Sequence, residues 1–101
     1  MNILVTNALS SSSPEFIFTT EEGADESMKD YAKKTILLAM EEYPDDHIEK
    51  AGLIKNKFKE KYGGNWLCSF VREGGVAFVY FDYFLSIEYE DYKITIAKTG
   101  Y

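Results

Sequence analysis

The chain has 101 residues, enough for one domain, and its content of 46% hydrophobic and 16% aromatic residues excludes a disordered chain. A net charge of −6 argues against nucleic acid or an anionic membrane surface as a partner, because both would repel the chain. A single cysteine precludes an internal disulfide and no stretch approaches a span of about 20 apolar residues, so we predict a cytoplasmic protein.

The first elements are a leader, a strand and a helix. A serine run closed by Pro14 predicts a flexible leader or linker over residues 1–14, with the folded domain over 15–101. Alternation in "EFIFTT" predicts a short strand over residues 15–20. Apolar residues at three- and four-residue spacing predict a helix from Asp25 to Tyr43, which Pro44 ends.

A second helix follows the proline. Asp45 or Asp46 is a suitable N-cap, and the helix continues to the glycine pair at 63–64. Its apolar stripe is predicted to contain Ile48, Ala51, Ile54, Phe58 and Tyr62.

The remainder of the chain has the character of β-strand. Strands are predicted near residues 66–73, 76–81, 83–89 and 92–98, with Glu90-Asp91 at the last turn. A strand, two helices and a run of strands predict an α+β fold, with the two helices packed on an antiparallel sheet.

Catalytic and metal sites are not indicated by the residues. A Cys68–His47 dyad is the one available cysteine–histidine pair, but Cys68 in a strand pattern is more simply a small buried hydrophobe. The "DDH" run at 45–47 suggests a helix cap more strongly than a metal site. We therefore predict no enzyme activity, no cofactor and no metal.

The run "KFKEKYGGNWLCSFVREGG" and the ending "ITIAKTG" resemble the small dimeric dynein light chains. The matching positions include an aromatic, a lysine and a tyrosine before a tryptophan and a cysteine, then an arginine and a Lys-Ser-Gly-like tail. In this chain these residues are Phe58, Lys61, Tyr62, Trp66, Cys68, Arg72, Lys98, Thr99 and Gly100.

The resemblance implies a strand-exchanged homodimer. The segment Val76–Phe81 is the candidate strand that crosses to the partner's sheet, since Gly74-Gly75 would let the chain depart sharply. The residues alone leave an ordinary hairpin within one subunit equally open. The implied dimer-interface residues are Leu67, Val76, Phe78 and Tyr80.

The resemblance also implies that extended linear peptides, such as a segment of dynein intermediate chain, add to the crossing strand. The implied peptide-binding residues are Gly75, Val76, Ala77, Phe78, Val79 and Phe84. Alignment to the family needs a one-residue gap between Glu73 and Phe84, so each of these positions is assigned only to within one residue. Ser86 and Glu88 replace groove aromatics of the family, and Glu88 favours a basic residue in the ligand.

Two functions are therefore expected. The first is a non-catalytic adaptor, associated with the dynein microtubule motor and the cytoskeleton. The alternative is a structural dimerisation domain whose peptide groove is altered or lost. In that alternative the chain is part of a larger EF-hand protein, as in flatworm tegumental proteins, whose light-chain-like domains it resembles.

Overall fold

The computed structural model describes residues 14–74 and 81–99. Its first helix, α1, spans Glu26–Glu42, with Asp25 as the N-cap accepting a hydrogen bond from the Met28 N–H at 2.9 Å. The second helix, α2, spans His47–Tyr62. Its N-cap, Asp46, accepts from the Glu49 N–H at 3.0 Å, and Gly63 ends the helix at a positive φ of 69°. The predicted N-cap at Asp45 or Asp46 is confirmed as Asp46, whereas Asp25, predicted as the first residue of the first helix, is its N-cap.

Among the described residues, four strands form one antiparallel sheet in the spatial order β1–β3–β4–β2. The strands are β1 (Phe16–Glu22), β2 (Trp66–Val71), β3 (Phe81–Tyr89) and β4 (Tyr92–Thr99). The predicted turn joins β3 to β4, with Glu90 at a φ of 56°. The central hairpin is thus local in sequence, whereas β1 and β2 join its sides from far along the chain.

One face of the sheet packs against the helices. Register places Trp66, Cys68 and Phe70 of β2 on the same face as Leu85, Ile87, Ile94 and Ile96. These side chains form the core with residues from both helices, such as Ile36, Ile54 and Phe58, which are fully buried. The predicted α+β fold, with two helices packed on an antiparallel sheet, is confirmed.

The opposite face, here called the outer face, carries no helix among the described elements. It contains Leu67, Phe84 and Ala97, which the register places side by side across three strands. Leu67 is 40% exposed there, and Ile17 on β1 is 54% exposed. No described helix is long and apolar enough to cross a membrane.

Two predictions require correction, one on the start of a strand and one on the burial of a helical residue. Phe81 belongs to β3, where it pairs with Thr99, so β3 begins two residues before the predicted start at Tyr83. Ile48 was predicted to lie on the apolar stripe of α2, yet it is 83% exposed because its side of the helix lines an open groove and not the core. The predicted leader and most of the predicted crossing strand lie outside the described residues.

Candidate functional site: the open edge of β2

The backbone of β2 has a neighbour on one side only among the described strands. The Thr99 N–H donates to the Asn65 carbonyl at 3.0 Å, which identifies these opposed residues as a hydrogen-bonded pair. Because such pairs alternate along an antiparallel ladder, Trp66, Cys68 and Phe70 direct their N–H and C=O groups away from β4. The described structure therefore offers an uncharged strand edge with outward-facing donors and acceptors.

A groove of about 400 Å³ lies between this edge and α2. Residues 68–71 of β2 form one wall. The side of α2 that forms the other wall contributes His47, Ile48, Ala51, Gly52 and Lys55. These five positions recur at helical spacing, so they form one face of α2.

Gly52 keeps the helix wall shallow. Glycine inside a helix costs about 0.5–1 kcal/mol relative to alanine. No described atom lies within 4 Å of the place where a Cβ would be, so packing within the described residues does not require this glycine. Its effect is to leave space in the groove.

The groove runs along the strand. The rings of Phe58 and Trp66 are 4.9 Å apart, while His47 stacks on Phe70 at 6.0 Å. The C-terminal part of α2 therefore lies by the start of β2 and its N-terminus by the end of β2. An extended chain added beyond β2 would follow α2 along its length.

Lys50 supports the His47 end of the groove and is only 1% exposed. Its Nζ donates to the Pro44 carbonyl at 3.0 Å and lies 5.1 Å from the ring centroids of Phe70 and Tyr92. A buried ammonium needs such partners, because desolvation without them is costly. Lys50 therefore fixes the loop before α2 against the edge strand.

His47 and Arg72 complete this cluster. Nδ1 of His47 is 3.4 Å from Nζ of Lys50, and its ring contacts Tyr92 at 5.3 Å. The Arg72 guanidinium lies 5.2 Å from the Tyr92 ring, donates to its hydroxyl at 3.3 Å and approaches Asp91 at 3.8 Å. Three basic side chains thus surround one end of β2.

Nucleophilic chemistry is not favoured at this edge. Burial raises the pKa of the Cys68 thiol well above its ordinary value, so the reactive thiolate is scarce near neutral pH. Cys68 and His47 both line the groove, yet the ring nitrogen Nδ1 of His47 contacts Lys50. Within residues 14–74 and 81–99, no three His, Cys, Asp or Glu side chains gather as a metal site.

The sequence-predicted site residues are only partly described. Val76, Phe78 and Tyr80 of the predicted interface, and Gly75, Val76, Ala77, Phe78 and Val79 of the predicted peptide site, lie outside the described residues. Leu67 is on the outer face of β2. Phe84 lies in β3 between Glu22 and Ala97 and is not among the described groove residues. Their roles in binding stay predictions.

Ser86 and Glu88 were expected to shape the peptide groove. Both lie on β3, on the outer face, and Glu88 is paired in register with Lys93. Neither is among the described residues that line the groove between α2 and β2. Glu88 therefore gives no reason to expect a basic ligand in that groove.

The sequence patterns missed Lys50 and the position of His47. Lys50 lies on the same four-residue row as Ile54 and Phe58, which are fully buried, and this spacing was the available signal. His47 was expected only as part of the helix cap at 45–47, and its stacking on Phe70 of the edge strand was not predicted. Long-range packing, not local pattern, brings both residues to β2.

Solved structures resemble this fold closely. The native structure of the dynein light chain-like domain of a Fasciola hepatica calcium-binding protein superimposes with a TM-score of 0.69, at 15% identity over 87% of this chain and 94% of that chain. This chain has the dynein light chain-like fold. A mercury derivative of the same domain gives a TM-score of 0.66 at 17% identity, covering 87% and 93% of the two chains. No family model and no curated protein sequence matches the chain.

The dynein light chain-like fold agrees with the resemblance seen in the sequence, including its relation to flatworm calcium-binding proteins. At 15–17% identity the likeness concerns the fold alone. What the domain binds must therefore be argued from the open edge of β2 and its groove.

Proposed function

We propose that this chain is a non-catalytic homodimeric adaptor that binds extended linear peptides by β-strand addition. The observation that carries the proposal is the uncharged edge of β2, which offers outward backbone groups to a crossing strand beside a groove walled by α2, along which the peptide lies. Exposed strand edges of this kind pair readily with another chain, so natural proteins usually block them.

The dimer is the first part of the proposal. Segment 76–81 of one subunit crosses to the partner and pairs with its β2, covering the outward groups of Cys68 and Phe70. The exposed apolar surface of Leu67 supports this arrangement, because a second subunit on the outer face would bury it.

The peptide is the second part. It adds as the next strand beyond the crossing strand and lies along α2, where Gly52 leaves room for it. Backbone hydrogen bonds supply affinity and the side chains of α2 supply selectivity. The proposed ligands include segments of dynein-motor proteins, such as dynein intermediate chain, in the cytoplasm near the cytoskeleton.

A structural dimerisation domain, within a larger EF-hand protein, is the second candidate. The open edge and the exposed Leu67 favour it equally, since both would serve pairing even if no peptide followed. The two candidates differ only in whether the dimer retains a usable strand edge along α2.

Two measurements on the whole chain test the proposal. Light scattering should give twice the subunit mass of 11.6 kDa, and a monomer at high micromolar concentration would contradict dimerisation. Fluorescence polarisation against labelled extended peptides, including threonine–glutamine–threonine types, should then detect saturable binding. A persistent dimer that binds none of them at millimolar concentration would leave the structural domain as the function.

A further inference from the structure

The helix wall of the groove is basic in an acidic protein. The chain has 17 acidic and 11 basic residues, yet the described lining residues include no carboxylate, and their basic side chains are His47 and Lys55. Lys55 is exposed and forms no ion pair with any described residue. The wall therefore has positive charge available for a ligand.

Lys50 adds positive charge behind the wall that no described carboxylate neutralises. A useful contrast is Lys29 near β1, which lies 5.1 Å from the Phe18 ring and pairs with Glu21 at 3.0 Å and Glu26 at 3.2 Å. Lys50 lies equally close to Phe70, but its polar partners are the Pro44 carbonyl and His47. The charge of Lys50 therefore makes the electrostatic potential at the groove more positive.

His47 lines the groove, and its contact with Lys50 assigns roles to its two ring nitrogens. The ammonium of Lys50 has no acceptor capacity, so at their 3.4 Å separation Nδ1 of His47 must accept. In the neutral imidazole the ring proton is then on Nε2. A groove ligand therefore meets an N–H donor at His47 and an ammonium at Lys55.

The spacing of these donors sets the spacing of a matching ligand. Eight residues along α2 separate Lys55 from His47, a rise of about 12 Å. An extended strand advances about 3.3 Å per residue, so about four residues cover the same distance. Side chains four apart on a strand point to the same side, so both would face α2.

We propose that the groove selects extended peptides with two carboxylate side chains four residues apart, one facing His47 and the other Lys55. This inference rests on the proposed peptide-binding function and names the ligand chemistry of that site. The preference for an acidic ligand is inferred from the groove itself. It does not come from the resemblance to known folds or from Glu88, which lies on the outer face.

The test uses four fluorescein-labelled ten-residue peptides of threonine and valine with blocked ends. The first has Glu at positions 3 and 7, the second Glu at 3 and 6, the third Gln at 3 and 7, and the fourth Lys at 3 and 7. We expect the first to bind the whole chain threefold to tenfold more tightly than the second or third, and the fourth most weakly. This advantage should shrink as salt rises from 50 to 300 mM.

Variants assign the effect to the wall. Lys55→Gln should remove most of the advantage of the first peptide over the third, while Lys34→Gln, an exposed lysine on α1, should preserve it. Gly52→Leu should weaken all four peptides because its side chain enters the groove. Circular dichroism melts check that each variant is folded.

The outcomes separate the two proposals. Equal binding of the first and third peptides overturns acidic selectivity but leaves peptide binding intact. Equal binding of the first and second overturns the four-residue spacing. Absence of binding by all four, with saturable binding of a threonine–glutamine–threonine peptide, overturns the acidic preference alone. If that peptide does not bind either while the dimer is intact, peptide binding is overturned as well.

Discussion

The two edges of the sheet are protected to different degrees. The β1 edge has a register shift between Phe18 and Thr20 and ends in Glu21 and Glu22. In contrast, β2 pairs in unbroken register and contains no charged residue from Trp66 to Val71. Irregularity and charge are the usual devices that prevent edge pairing, so among the described strands β1 is better protected against pairing with another chain than β2.

The largest expected effect comes from placing a charge on each edge in turn. Ile17 and Leu67 are exposed residues on the outer face, one on β1 and one on β2. Leu67→Lys should weaken dimerisation at least a hundredfold, about 2.7 kcal/mol, because an ammonium would be buried at the interface. Ile17→Lys should change the dissociation constant of the dimer by less than about threefold.

Sedimentation velocity over a concentration series measures both variants. Equal weakening by the two substitutions would show that the edges do not differ in the way proposed. An unchanged dimer in Leu67→Lys would place the interface elsewhere.

A smaller effect is expected from the lysine that supports β2. Lys50→Ala should lower the free energy of unfolding by about 2 kcal/mol, since a buried side chain is lost. Lys50→Met keeps most of the volume and removes the buried charge, so it should remain within about 1 kcal/mol of the parent. Urea unfolding compares them. An alanine variant as stable as the methionine variant would mean that the stem of Lys50 adds nothing to packing.

Removing the charges of β1 should make the two edges more alike. In Glu21→Thr/Glu22→Thr, species larger than the dimer should appear at submillimolar concentration, because the edge loses its repulsion. Glu41→Thr/Glu42→Thr at the end of α1 changes the charge equally and should not. Light scattering distinguishes them; no larger species in either variant would assign the protection of β1 to its register shift alone.

The smallest effect is the pH response of Cys68. Burial raises the pKa of its thiol above the ordinary 9.0, so the folded state holds the proton more tightly than the unfolded state. The resulting stability is complete below about pH 9 and is lost as pH rises beyond it. Burial also raises the pKa of Tyr31, Tyr62 and Tyr89, so these add a similar loss above about pH 10.

Comparing urea midpoints at pH 8 and pH 9.8 isolates the thiol. Cys68→Ala should show a smaller decline than the parent, because the tyrosines are common to both. An identical decline in the two proteins would show that Cys68 titrates alike in the folded and unfolded chains.

Local signals predicted the elements better than the site. Asp25, Asp46 and Pro44 act within one turn of helix, and Glu90-Asp91 within one hairpin, so sequence alone revealed them. The strand order and the burial of Lys50 depend on contacts between distant segments. The resemblance predicted the fold. The basic wall of the groove could not be predicted, because it depends on the packing of α2 beside β2.

The two-residue turn between β3 and β4 also has a consequence for rates. These central strands are adjacent in sequence, and hairpins form within about 1–10 μs, whereas β2 must close a longer loop to reach β4. All of these steps are first-order and independent of concentration. Pairing of the β2 edge with another molecule is second-order, so its rate depends on protein concentration. In the proposed dimer, dilution would therefore lengthen the interval between the folding of a subunit and its pairing with a partner, while leaving the folding time itself unchanged.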